Sequence, residues 1–527
     1  SGITHQASST VQIASGKTLS HSGGELNVGP HTLTLSGGGT FDNTDNLTLD
    51  DPSSVLKLDG TVQVSKVAIP VELTSGKLEV LQDARIQRLS HPGSSRLEIA
   101  DEKSLTVNKA LEIPQGQSLR LIGMGGTLRL EDTLTLSGTL HFAVEGTLNN
   151  GTLALNGGLL DVDENATITS NLTQQADSVV EVASGKTLTY QGNALDIGPH
   201  ELTLSGGGQL VNANSLALND PASVLKLAGI AEMRKVAISG GLTTGSLDVD
   251  NNTRIATLLH PGSSRIDLAD GIRLSVNTDF EVPSGQSLEL SGSGGSLTLK
   301  FSAPGHTLDN GTLALNGGTL AVADNTTITA DLTQQADSSI NVLSGKTLVY
   351  QGESLDIGPH ELTLSGGGSF ANAESVTLDD PDSQLTLSGI TVDNVTTSAD
   401  SKGVLVDNAS TVNHLAVSDL TPLAISSGET LSGKVTVISG GTLQLSEGGT
   451  LASDVTMTGG TLAVDESLTV SGTLVQAGDA AVEVADGKTL NYSGSGVDIG
   501  PHTLTLSGGG TFDNTDNLTL NDPASLL

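Results

Sequence analysis

The sequence predicts an all-β fold, a single-stranded parallel β-helix (a β-solenoid) of roughly 20 residues per coil. Three observations predict it. Blocks of sequence return at long intervals, apolar and polar residues alternate over very short runs, and the composition lacks what a globular core needs. The chain has 527 residues with 65 Gly, no Trp, no Cys, 3 Tyr and 6 Phe. Large aromatic side chains usually dominate a globular core. Here Leu, Val, Ala and Ile must fill a long, narrow one instead. Their regular recurrence also argues against disorder.

Repetition is the strongest of the three. The block Gly29-Pro30-His31-Thr32-Leu33-Thr34-Leu35-Ser36-Gly37-Gly38-Gly39 returns, little changed, from Gly198, Gly358 and Gly500. An independent marker, Gly-Lys-Thr-Leu, begins at Gly16, Gly185, Gly345 and Gly487, and so keeps the same three spacings. His31 to Leu49 and His502 to Leu520 are identical at every position. The chain therefore divides into 1–28 as the end of a preceding unit, 29–197 as unit one and 198–357 as unit two. Residues 358–499 form a shortened, divergent unit three, and 500–527 start a further one; all are expected to make one continuous solenoid. Unit two is shorter than unit one, and unit three is shorter again. Such cuts suit a stack in which each coil touches only its neighbours.

Within a unit the period is two. Leu33 and Leu35 point one way while Thr32 and Thr34 point the other, and Leu56/Leu58, Leu128/Leu130, Leu134/Leu136 and Leu153/Leu155 repeat the pattern. Each run is too short for a helix and is bounded by Gly, Asn or Asp. Three such strands would close one coil. About 26 coils at ~4.8 Å would make a rod on the order of 125 Å, right-handed by the crossover bias. Leu78 to Leu89 could be read as a helix. Its copy in unit two carries Asn251-Asn252 in the middle, which is turn chemistry, so strand-turn-strand is expected in both.

Charge narrows the partners. Lys+Arg number 23 against 59 Asp+Glu, a formal net charge of −36. A dispersed acidic coat repels nucleic acid and anionic membranes, and no apolar run is long enough to span a bilayer. Without cysteine there is no disulfide, thiolate metal site or Cys nucleophile. The chain begins at Ser1 rather than Met, which reads as processing or excision from something longer.

The candidate motifs resolve into turns. (Asp/Asn)-Asp-Pro recurs at Asp50-Asp51-Pro52, Asn219-Asp220-Pro221, Asp379-Asp380-Pro381 and Asn521-Asp522-Pro523. A carboxylate pair could cleave glycosides, but the first acid is Asn in two copies, and Asp followed by Pro presets a turn. His31, His200, His360 and His502 would lie roughly 35–40 Å apart at the strand spacing, too far to share a metal. Asn43, Asn212, Asn372 and Asn514 share one repeat position, where an amide can bond the neighbouring coil. Phe41, Leu210, Phe370 and Phe512 share another, as core. Gly428 to Lys434 resembles a phosphate loop, but Val435 replaces the Ser or Thr that would hold magnesium. No catalytic residue and no cofactor is expected. The weak metal candidates are Asp161 and Asp163, and Asp248 and Asp250, which alternate outward and could bridge calcium.

With Leu-Thr-Leu-Ser-Gly-Gly-Gly-Thr-Phe at Leu33 to Phe41 and Gly-Gly-Thr-Leu-Ala-Val at Gly317 to Val322, the chain resembles the repetitive β-helical regions of large secreted bacterial surface proteins. These include autotransporter passenger domains and filamentous-haemagglutinin-type adhesins. The resemblance covers nearly the whole chain and implies an extracellular rod, adhesin or filament. Its implied partners are copies of itself, end to end or side by side, and cell-surface glycans. Two other functions compete. A carbohydrate-active β-helix enzyme would need an acid cluster outside the repeat, for which Asp393, Asp400 and Asp407 in unit three are the candidates. An ice-binding solenoid would need a flat Thr-x-Thr array, which Glu201 and Glu361 interrupt. The ends fall inside repeats, so the chain reads as a window on a longer array.

Overall fold

In the computed structural model the chain is a parallel β-solenoid of about 21 turns with 59% of its residues in strands. No helix occurs among the described residues. These are all residues except 1–2, 4, 61–62, 239–241, 243–244, 260–263, 270–271, 277–286, 292–295, 300–306, 309–311, 318, 323–324, 329–330 and 399. Two compact units, Ser1–Leu259 and His260–Leu527, are taken in turn.

In the first unit the period-two runs become strands because each buries one face. Thr32–Ser36 hides Leu33 and Leu35 and leaves Thr32 and Thr34 half-exposed. It pairs in parallel with Val55–Asp59, so that Leu33 faces Leu56 and Leu35 faces Leu58. The same sheet continues through Lys77–Val80, Ser95–Ile99, Ser118–Leu121, Thr139–Phe142, Leu159–Val162 and Ser178–Val182. A like-on-like core column results, with Leu58 facing Val80, Val80 facing Ile99 and Phe142 facing Val162. Each buried aliphatic contributes on the order of 2 kcal/mol, and a coil supplies several. This replaces the aromatic core the composition denies.

Coil length varies along the stack. Val11 pairs with Leu35, Leu78 with Leu97 and Phe142 with Val162, and no two of these steps are equal. Coils that average more than the expected length of roughly 20 residues explain why about 21 turns are found and not 26. The extra length is absorbed at the corners. Gly37 has φ +91°, a conformation disfavoured for residues with Cβ, and a Cβ there would lie 2.5 Å from the Ile13 carbonyl oxygen. The segment 78–89 is Lys77–Val80, a turn, then Ala84–Ser90, as expected.

A second corner device uses asparagine. Glu232–Ile238 is one strand, yet it pairs first with Gln209 and Leu210 and then with Leu216 to Leu218 on the coil below. Ala213 and its neighbours from Val211 to Ser215 thus have only Arg234 and Lys235 above them. The buried amide of Asn212 fills the gap. Its Nδ2 donates to the carbonyls of Asn214 (2.8 Å) and Lys235 (2.6 Å), and its Oδ1 accepts from the amides of Arg234 and Lys235, each at 3.1 Å. Asn43 does the same with Lys66.

The second unit is built by the same rules. One run stacks Glu361–Ser365, Gln384–Ser388, Gly403–Asn408, Leu420–Ile425, Thr442–Ser446, Gly460–Val464 and Ala480–Val484 in parallel. Leu364 faces Leu387, and Leu387 faces Val406 across a shorter coil. Asn372 patches the corner against Asn394. The divergent stretch then simplifies: Thr391–Thr397, Ser410–Val417 and Thr430–Val437 run 7 or 8 residues unbroken, and the coils shorten accordingly.

Candidate functional site

Most acidic and imidazole side chains singled out in the sequence serve the backbone. Asp51 Oδ1 accepts the Ser53 amide at 2.9 Å and the Ser53 hydroxyl at 2.6 Å, and these bonds hold its carboxyl below the usual range. Asp220 and Asp380 repeat the turn with Ala222 and Asp382. The serine that follows each turn, at Ser54, Ser223 and Ser383, donates back to Gly29, Gly198 and Gly358 on the coil below. His31 and His200 immediately precede equivalent strands eight register steps apart, about 38 Å at the strand spacing. Asp393 lies on Thr391–Thr397, Asp407 on Gly403–Asn408 of another sheet, and Asp400 in the loop between them. Asp393 accepts from Asn413 at 2.6 Å. These three make no convergent group among the described residues.

The two candidate aspartate pairs differ. Asp248 accepts from the Ser246 hydroxyl, and Asp250 is 3.2 Å from Lys226 Nζ, which this contact holds above its ordinary pKa. A cation there would compete with the lysine. Asp161 and Asp163 meet a third group the sequence reading missed. His141 stands opposite Asp161 on the next coil, with Nε2 at 3.6 Å from Asp161 and 2.6 Å from Asp163. One ligand atom from each of the three lies within 4.8 Å of the others. Burial pushes the Asp161 carboxyl up and Asp163 adds to this, while His141 and Arg120 oppose it. An imidazole among two carboxylates suits a borderline ion better than calcium, which prefers oxygen. The same geometry is also a hydrogen-bonded His–carboxylate contact that needs no ion.

His141 belongs to a longer column on this sheet. Arg96 faces Arg120, Arg120 faces His141, His141 faces Asp161 and Asp161 faces Glu181 on successive coils. The outward face is thus cationic at one end and anionic at the other. Beside it run Lys57, Glu79 and Glu98. There the two glutamates face each other, and lysines answer them. Lys57 is 3.1 Å from Glu79, and Lys77 is 3.6 Å from Glu79 and 2.6 Å from Glu98.

The Arg96–Arg120 rung has no such answer. Arg96 Nη1 donates to the Thr74 carbonyl at 3.0 Å. Arg120 feels Asp161 electrostatically, and no carboxylate of the described residues pairs with either guanidinium. Both line a polar groove of about 490 Å³ with Glu72, Thr74, Ser94 and Ser118. Sequence reading missed it because the coils here are unequal, so the neighbours across them share no fixed spacing.

No family model matches the chain. A hemolysin of Proteus mirabilis is 23% identical over 402 residues, which cover 71% of this chain and 23% of that protein. The chain thus spans about a quarter of the length of the curated relative it matches. Among the described residues no helix is long and apolar enough to cross a membrane. Parallel β-solenoid architecture and this likeness agree with the resemblance to repetitive β-helical regions of secreted bacterial proteins.

Proposed function

We propose that the chain is a non-catalytic, extracellular β-solenoid that works through its side faces, as a structural or adhesive stalk on a microbial cell surface. One observation carries the reading. Most of the described acids and histidines singled out in the sequence are engaged in repeated turns, rungs and close pairs, so the molecule's distinctive surface is its ladders. Similarity to a protein named as a hemolysin supports secretion. Copies of the chain and cell-surface glycans are the proposed partners.

Immunogold labelling of intact cells of the native source, with the purified chain applied separately to erythrocytes and to a polysaccharide panel, tests this. Surface label, intact erythrocytes and no cleavage product are expected. Label seen only after permeabilisation, or a product lost on Asp393→Asn, would overturn it.

A further inference from the structure

We infer that the groove over Arg96 and Arg120 is a binding site for a polyhydroxylated anion, a saccharide bearing carboxylates; this rests on the reading of the side faces as the working surface. Like charges facing each other across adjacent strands destabilise a sheet. Where Glu79 faces Glu98 the protein compensates with two lysines. Where Arg96 faces Arg120 it does not, and the two guanidiniums open onto a groove of about 490 Å³. That volume is in the range of small-ligand sites.

Two further observations agree. The first is the local charge. Residues 57–129 hold 10 of the 23 Lys and Arg and only 8 of the 59 Asp and Glu. Elsewhere acids exceed bases about fourfold, so an anion is repelled almost everywhere except here. The second is the internal copy. In unit two Arg96 becomes Arg265 and Arg120 becomes Glu289, again facing each other. The copy thus has an acid in register with its arginine, where unit one has a second base.

The lining selects among anions. Guanidinium forks match planar carboxylates in bidentate geometry. Ser118 and Thr74 offer hydroxyls, while that of Ser94 is held by Gln117 and the Ser118 amide, and Glu72 offers an acceptor that a sugar hydroxyl can use and a bare inorganic anion cannot.

Titration calorimetry of the full chain with galacturonate trisaccharide, at low and at physiological salt, tests this. Arg120→Glu is the discriminating variant, because the copy already carries Glu at that register position. Wild type should bind, more weakly as salt rises. Arg120→Glu should lose at least tenfold in affinity, about what one lost charge-assisted hydrogen bond costs, with an unchanged circular dichroism spectrum. Neutral galactose trisaccharide and inorganic sulfate should not compete. No binding by wild type, equal binding by Arg120→Glu, or equal binding of the neutral sugar or of sulfate would overturn the assignment. Failure of the stalk reading would show separately, as absence of surface label whatever the titration gives.

Discussion

Asn212 offers the sharpest test of how the corners hold. Its amide is fully buried and satisfies four backbone groups, the carbonyls of Asn214 and Lys235 and the amides of Arg234 and Lys235. Asn212→Leu keeps the branched heavy-atom shape and removes every one of these bonds. A buried backbone group left unpaired costs about 1–3 kcal/mol. The two amides share one oxygen and the corner can relax, so the sum is set at about 3–4 kcal/mol and not at four full penalties. A solenoid can open by neighbouring coils, so the loss is read most directly at the coil concerned. Hydrogen exchange is local. The Lys235 amide should exchange roughly 100- to 1,000-fold faster in Asn212→Leu, from about 1.4 kcal/mol per decade. Amides several coils away, such as Leu56, should not change. Equal protection at Lys235, or loss spread evenly along the chain, would refute the argument that this amide closes the mismatch between the two coils.

Three other outcomes follow from buried or paired groups. Burial holds the His91 imidazole down to about 4. The unfolded chain takes up that proton near pH 6.5 and the folded chain does not, so stability is complete above 6.5. It should fall by about 3 kcal/mol as pH drops to about 4. His91→Gln should show a flatter denaturation midpoint against pH than wild type. At a second place, Asn27/Asp50, Asp196/Asn219 and Asp498/Asn521 each combine one amide with one acid, whereas Asp356/Asp379 are both acids. The hydrogen bond to Asp356 raises the Asp379 carboxyl, so the ionised pair is a cost at neutral pH. Asp379→Asn should stabilise by about 0.5 kcal/mol after solvent screening, with the gain fading as pH falls through the carboxylate range; an unchanged melting midpoint at neutral pH would count against it. Finally, the Tyr190 hydroxyl donates to Asn193 at 2.6 Å and accepts from the Leu172 amide at 3.1 Å. Tyr190→Phe should expose the Leu172 amide to exchange at a cost of about 1–2 kcal/mol.

Much of the fold was legible because it depends on local pattern. Alternation tells which side of a strand each residue takes, and Leu33, Leu35, Leu128 and Leu130 are buried as alternation requires. The corner role of Asn43, Asn212 and Asn372 was legible from their shared repeat position. The tyrosines were less so. Tyr190, Tyr350 and Tyr492 recur at the unit spacing, and their hydroxyls accept from the Leu172, Leu332 and Leu474 amides on the neighbouring coil. Counting aromatics as scarce hid the fact that the three tyrosines share one position.

The Arg96–Arg120 groove was not legible, for a reason that belongs to solenoids. Alternation fixes which side chains face out, but vertical neighbours depend on coil length, and coil length varies. The steps from Arg96 to Arg120, from Arg120 to His141 and from His141 to Asp161 all differ. A fixed coil of about 20 residues would set Arg96 against Gly116 and Arg120 against Leu140, a buried residue. The outward charge pattern is therefore set by strand register, and the variable corners hide it from any fixed sequence spacing. A short insertion in the turn between Phe142 and Gly146 can be looped out without moving a ladder partner. An insertion of two inside Thr139–Phe142 would carry His141 away from Asp161 and Asp163 while preserving alternation. Loops can thus drift in length while a column such as Arg96–Arg120–His141–Asp161 is kept. This is how one repeated core can carry a different surface on each unit.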